Sequence, residues 1–423
     1  MNWVGITILV LIIICLMMKY KMVGHPVIIF YGIWGISLIF VMMKMYGMTD
    51  YSQLTIQIIF VGLVGFGIGV LISYLLRKIN FKLGSKRNTI NKLTIHWYFA
   101  YAILIFGFLG IAILFVIAVL NLKNGVSYAN LRNMYYGYGN SSLLIKNGLL
   151  RTYINWISVP AIYALMPIAL IMVFEKQNRK MFISGVFISA FMYVFASAGR
   201  NIIVFMIVQS IILVQYYKFK VPKKFVKHIK KGIVALAILL GIYMVLRKSS
   251  SDVHVPSMYA YFTAPILLMD YWVKNLGSHF SYLHGGAFCY GILTLLNWMT
   301  SKIGFVFPGY SYVNSYIQAT QDQWIEIFRG RWYNAFVSQF YYFYIDFGVI
   351  GVFVADVLLG MLCYRLFYLA LIKQKKKYLP WYLIMVQCLV CSIIRWQLGT
   401  ATMVLTILME FLLTFEIKKR RQM

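Results

Sequence analysis

Apolar residues fall along this chain in runs of roughly bilayer length, separated by short basic or polar connections. The runs cover residues 3–18, 24–46, 54–76, 97–120, 154–174, 181–197, 202–217, 232–246, 341–370, 379–396 and 402–416. Within hydrocarbon only a helix satisfies all of its own backbone groups. The pattern therefore predicts an all-α, polytopic membrane protein with about eleven transmembrane helices. The first run has neither a basic leader nor a small-residue cleavage site, so it reads as a membrane helix and not as a removable signal.

The polar pattern divides the chain in three. Residues 1–246 form an N-terminal bundle of about eight helices, 247–340 a large extracytoplasmic loop, and 341–423 about three further helices with a basic cytoplasmic tail. The middle of the large loop, Gly285 to Met299, is apolar and predicts a short helix lying on the outer leaflet; a pair of short extra spans is the alternative.

Composition sharpens this picture. At 62% hydrophobic and 12% charged, the chain has too little charge to cover a soluble fold of its length. The net charge of +30 has a bland source. Basic residues collect at 19–21, 77–92, 176–180, 218–231, 373–377 and 418–421, which share one side if the N-terminus lies outside and the C-terminus inside. Positive-inside bias and anionic membrane lipid account for the sign, and without a soluble basic domain nucleic acid is not an expected partner. Cys388-x-x-Cys391 lies within an apolar run without nearby His or Asp, so it reads as packing. No histidine, including His254, His279 and His284 of the loop, has metal-ligand spacing, and no metal or other cofactor is expected.

Candidate chemistry gathers at the outward connections. Arg200 follows Ser197-Ala198-Gly199 and opens a helix whose positive dipole end faces outward, a fitting place for a phosphate or diphosphate. Arg329 and Arg331, with Asn334, precede a dense aromatic run, where bidentate guanidiniums suit either a pyrophosphate or lipid headgroups. Arg395 ends one span beside another outward helix start and serves either a substrate or an ion pair, with Glu410 on the neighbouring span. Asp346 is suited to act as a general base or to hold an arginine, with Asp270 and Asp252 as alternatives for the base; Asp356, deeper, reads as a structural acid. Tyr341, Tyr342 and the surrounding 310–344 aromatics form an interfacial belt, or a belt that doubles as a platform for sugar faces.

Three stretches carry a resemblance. Ser197-Ala198-Gly199-Arg200, Tyr261-Phe262-Thr263-Ala264-Pro265-Ile266 leading to Asp270, and Asn334-Ala335-Phe336 followed by Tyr341-Tyr342-Phe343-Tyr344-Ile345-Asp346-Phe347-Gly348 resemble Wzy-type O-antigen and capsule polymerases. So does the topology, with a dominant outer loop before the last three spans. The resemblance implies a fold related to GT-C transferases and O-antigen ligases. It implies transfer of undecaprenyl-diphosphate-linked oligosaccharide repeat units at the outer face of a bacterial cytoplasmic membrane, without a nucleotide sugar, alongside a flippase and a chain-length regulator. On it, Arg200, Arg329, Arg331 and Arg395 contact the diphosphate; the residues themselves offer Asn334, Tyr341 and Tyr342 to the glycan and Asp346 or Asp270 as the group that takes the acceptor's proton. A lipid-linked oligosaccharide flippase and a ligase-type transferase are the alternatives.

Overall fold

Residues 24–82, 93–137, 142–217, 231, 234, 255–277 and 280–415 are described in the computed structural model of the chain. The expected span 3–18 and, apart from residue 234, the span 232–246 lie outside them, as do Cys15, His228, Asp252, His254 and His279.

The chain is mostly helical, and helices stand at the nine other expected places. They are α1 (Pro26–Met42), α2 (Gln53–Lys82), α3 (Trp97–Lys123), α5 (Gly148–Tyr153) running through a π turn (Ile154–Ser158) into α6 (Val159–Glu175), α7 (Lys180–Ser197), α8 (Asn201–Tyr217), α12 (Ser338–Phe367), α13 (Leu379–Val390) and α14 (Ala401–Thr414). Between them lie α4 (Tyr128–Tyr136), α9 (Ser257–Lys274), α10 (Tyr290–Ser301) and α11 (Tyr310–Asp322). Among the described residues five stretches are long and apolar enough to cross a membrane: Gln53–Arg77, Trp97–Lys123, Gly148–Glu175, Lys180–Ser197 and Ser338–Ile372. The helix α1 starts where the sequence asks it to. Pro26 supplies a fixed φ at the first position, and Val27 N donates to His25 Nδ1 (3.3 Å).

Two features depart from the sequence expectation. Among the described residues the 247–340 segment holds α9, α10 and α11 where the pattern predicts one short helix, followed by an antiparallel hairpin of β1 (Ile325–Phe328) and β2 (Arg331–Tyr333). The alternation Ile325-Glu326-Ile327-Phe328 and Gly330 with φ +71° in the turn favour a strand pair over a helix. The second departure is larger. The span expected as one helix over 341–370 is broken at Phe347 (φ −147°, ψ 25°) and Gly348 (φ 63°, ψ −150°).

The break folds the chain back. A continuous helix would set residues 339 and 356 about 25 Å apart. Instead Gln339 Nε2 donates to Asp356 Oδ1 at 2.7 Å, and a Cβ on Gly351 would lie 2.5 Å from Phe343 O. Residues 338–346 thus form a short limb lying against the long limb that begins at 349. Nine residues rise only about 13 Å, too little to cross a bilayer. Short elements at membrane depth survive when protein covers them. This one is covered: every residue from Ser338 to Asp346 is buried except half-buried Tyr344.

The described helices fall into two compact units, interleaved in sequence. The first takes Met1–Asn88, Ser250–Tyr368 and Met385–Ala401; the second takes Thr89–Ser249, Leu369–Ile384 and Thr402–Met423. In the first, α2 and the long limb of α12 approach through glycines. A Cβ on Gly65 would lie 2.7 Å from Phe353 O, and Gly69 and Gly360 are tighter still against Val357 and Phe66. Small residues let helices meet at backbone distance where lipid offers no hydrophobic drive. Gly65→Leu is expected to lower thermal stability in detergent by about 2 kcal/mol or more, since the neighbour is backbone and cannot swing aside. An unchanged unfolding temperature would show that this contact does not hold the pair together. In the second unit α3 packs on α6 and α7, with Gly107 over Ala161 and Gly185 over Leu104.

Candidate functional site

In the first unit the short limb of α12 organises what surrounds it. Phe340 packs on Trp34 (ring centroids 4.4 Å), and Phe343 on Trp396 (4.9 Å). At the tip, the two carboxylate oxygens of Asp346 accept from Ala287 N (2.9 Å) and Phe288 N (2.7 Å). The carbonyls that the helix break leaves free are used as well: Leu283 N donates to Ile345 O (2.9 Å) and His284 N to Asp346 O (3.2 Å). Asp346 therefore holds backbone amides of the 283–288 turn, where the sequence offered a base or an arginine partner.

Asp270 has a comparable task elsewhere. It accepts from Ser52 N (2.8 Å), Ser52 Oγ (2.5 Å) and Thr55 Oγ1 (2.8 Å) at the start of α2, and pairs with Lys274 (2.5 Å). Burial pushes its carboxyl up, but the Lys274 ion pair and the hydrogen bonds from Ser52 and Thr55 outweigh it, so the group lies below its ordinary value. A depressed acid stabilises the fold above the unfolded carboxyl value, near pH 4, and loses that contribution as pH falls through the folded value. Asp270→Ala is expected to cost about 1 kcal/mol at neutral pH, as loss of a helix cap does, and to flatten the acid limb of the unfolding curve. Identical acid limbs for wild type and variant would remove Asp270 from that role.

Arg395 lies at the base of the short limb, its backbone bridged in parallel to Ser338. Arg395 is half-buried, its charge is felt by Tyr342, and its guanidinium has no hydrogen-bond or ion-pair partner among the described residues. Arg329 and Arg331 flank Gly330 in the β1–β2 turn. That hairpin is pinned to the α1–α2 connection by Thr49 N to Ile327 O (3.0 Å) and Arg329 N to Gly47 O (3.2 Å). Arg329 is exposed and Arg331 half-buried. Asn334 is buried, its Nδ2 donating to Gln321 O at the end of α11.

Tyr341 and Tyr342 are 0% and 4% exposed, so their ring faces are not open for stacking, contrary to the platform expected of them. An aromatic surface does exist nearby. Tyr312 and Tyr316 of α11 meet edge to face (5.2 Å), Phe280 meets Tyr316 (5.2 Å), and Ser281 N donates to the Tyr312 hydroxyl (3.0 Å). Tyr282 and Tyr312 are 45% and 40% exposed. The sequence flagged the 310–344 cluster, which holds Tyr312 and Tyr316, without singling them out and without Phe280 or Tyr282, because tyrosine spacing alone does not tell which ring faces out.

In the second unit Arg200 stands at the start of α8. Ala198 takes a left-handed conformation (φ 47°) to end α7, a common helix stop. Ser197 Oγ accepts from Gly199 N (3.2 Å) and donates to Tyr193 O (2.6 Å), which fixes the turn. A Cβ on Gly199 would lie 3.5 Å from the Tyr136 hydroxyl, so α4 brings a phenol to this turn. Tyr135 reaches Asn155 Oδ1 and the Tyr193 hydroxyl, both at 3.4 Å. Asn155 belongs to the π turn, a local bulge of the kind found often at functional sites. The 121–153 loop reads as tyrosine-rich in sequence, but nothing in it signals that Tyr135, Tyr136 and Asn155 share a place with Ser197.

Glu410 is buried, with both carboxylate oxygens lacking a hydrogen-bond partner among the described residues. No group of three or more His, Cys, Asp or Glu among the described residues is arranged to hold a metal ion.

Apolar helices of bilayer length, with polar groups held at their breaks and turns, define a helical membrane protein. No protein-family model, curated protein or solved structure matches the chain.

Proposed function

We propose that the chain is a membrane glycosyltransferase that polymerises oligosaccharide repeat units carried on undecaprenyl diphosphate. The reaction takes place at the outer face of a bacterial cytoplasmic membrane, with about eleven spans arranged as in GT-C transferases and O-antigen ligases. The observation that carries this reading is Arg395, a half-buried arginine beside Tyr342 whose guanidinium has no hydrogen-bond or ion-pair partner among the described residues. A cation in that setting is costly unless an anion or oxygen-rich group meets it. A lipid diphosphate supplies such a group. As the sugar–phosphate bond breaks, negative charge grows on the departing diphosphate, and fixed guanidiniums stabilise it without having to reorganise. In the first unit Arg395 takes that part, with Arg329 and Arg331 of the hairpin drawing in the charged head; Arg200 of the second unit is proposed separately as a diphosphate contact.

The acceptor is a sugar hydroxyl of the next lipid-linked unit. Its oxygen attacks the anomeric carbon, its proton passes to a carboxylate of the site, and the bond from that carbon to the lipid diphosphate breaks so that the diphosphate leaves. Asp346 is the proposed acceptor of that proton, with Asp270 as the alternative. The exposed Tyr282 and Tyr312 rings, with half-buried Tyr316 beside Tyr312, offer faces for the glycan, while Asn334, Tyr341 and Tyr342 shape the ground beneath it.

A second reading is a flippase, favoured by the discontinuity in α12, since transporters build their sites from broken helices. Purified protein given lipid-linked repeat units separates the two. A ladder of longer lipid-linked glycans is the expected result; movement of the units across proteoliposomes with no ladder would contradict the polymerase.

A further inference from the structure

The short limb of α12 is fastened at both ends by different means. Its tip is tied by Asp346 to the amides of Ala287 and Phe288. At its base Val337 N (3.1 Å) and Ser338 N (3.2 Å) both donate to Ile394 O, the residue before Arg395. Next along, Gln339 Nε2 donates to Asp356 Oδ1 (2.7 Å), a side-chain bond that joins the two limbs directly. Asp356 is fully buried, and its other oxygen has no hydrogen-bond partner among the described residues. Tyr31 and Cys363 are the titratable groups that feel its charge. Gln339 is equally enclosed, 1% exposed.

A carboxyl placed so deep, bonded to one amide and to no cation, is an expensive way to pack a helix. Its position explains the expense. The fold-back at Phe347-Gly348 leaves nine residues to find their place against the long limb, and backbone hydrogen bonds cannot cross between two helices. A side-chain bond can set the register. We infer that Gln339 and Asp356 are positioning residues: a clamp that holds the short limb on the long one and, through the Ser338–Arg395 bridge, holds the Arg395 guanidinium and Tyr342 in register. Neither touches substrate. The clamp needs an acceptor oxygen at 356 and not a charge, so asparagine serves there and leucine does not.

The inference rests on the polymerase reading only for its effect on activity, and its test has an arm independent of that reading. A cysteine is placed at Tyr341, inside the limb, in the full chain reconstituted in membrane. Its modification by a water-soluble maleimide is followed against the same protein without the added cysteine. Asp356→Leu and Gln339→Met are each expected to raise the rate about tenfold, as loss of a buried hydrogen bond permits local opening. The double variant goes no further, and Asp356→Asn stays as protected as wild type. Protection that persists in both single variants would overturn the clamp. So would full reactivity in Asp356→Asn, or a double variant whose effects multiply. Should Asp356→Leu fail to fold, Gln339→Met, which keeps the acid, carries the test.

In the activity arm, glycan extension falls in Asp356→Leu and returns in Asp356→Asn. A wild type that forms no ladder would remove the polymerase reading and leave the labelling arm to decide the clamp.

Discussion

Arg200→Ala is expected to reduce glycan extension by about two to three orders of magnitude, the scale seen when one preorganised donor to a developing charge is removed. The protein should still insert and fold. Arg200 follows a turn that other residues fix: Ala198 in its left-handed conformation, and Ser197 between Tyr193 O and Gly199 N. Removing the guanidinium leaves those contacts of the turn in place, and extension is compared at equal amounts of folded protein. Because Arg200 also begins α8, whose first amides point the same way as the helix dipole, lysine should recover only part of the rate. It restores the charge but not the planar, two-pronged contact with a diphosphate. Extension by Arg200→Ala at more than a third of the wild-type rate, with normal protein levels, would take Arg200 out of the mechanism.

Asp346→Asn is expected to have the next largest effect, and its pattern separates two roles. The carboxylate now satisfies two buried amides, one on each oxygen. The amide side chain keeps one acceptor and turns an NH₂ toward the other donor. A buried donor left without a partner costs about 1–3 kcal/mol, so the unfolding temperature of the variant should drop measurably. If Asp346 serves as anchor alone, extension falls in step with folded protein. If it also takes the acceptor proton, as proposed, extension falls far beyond the loss of fold. A variant with unchanged stability would contradict the anchor; one whose remaining folded fraction is fully active would contradict the base.

Much of the helical layout is legible in the sequence, for a plain physical reason. Lipid leaves helices as the one arrangement for long apolar runs, and runs such as 97–120 and 181–197 become α3 and α7 within a few residues. The fold-back of α12 is not legible in the same way. Hydropathy sees one apolar stretch through Tyr341 to Gly360, whether it is straight or doubled over. The clue lies in Asp346-Phe347-Gly348, where an acid and a glycine interrupt it, yet the pattern reads as one helix over 341–370. What it hides is the turn before it, because Ser338 to Asp346 is covered by protein and carries apolar residues for that reason. The hairpin at Arg331 is missed because seven strand residues are too few to stand out beside helical runs.

The candidate site is legible residue by residue but not as an assembly. The sequence selects Arg395 and Asp346 because charge is rare in apolar surroundings. It cannot show that Asp346 faces amides from the 283–288 turn, nor that Gln339 lies across from Asp356 after the chain reverses. Those pairings join positions far apart along the chain, and only packing brings them together.

The central claim is that guanidiniums wait on the external surface for a departing lipid diphosphate, and sidedness tests it most directly. Cysteines at Arg200 and Arg329, introduced one at a time, are probed in intact cells with a membrane-impermeant thiol reagent. A cysteine at Lys375, in the basic connection expected inside, is the control. Modification is expected at 200 and 329 in whole cells, and at 375 only after the membrane is opened. Modification at 375 in intact cells, with 200 and 329 protected until lysis, would contradict that claim.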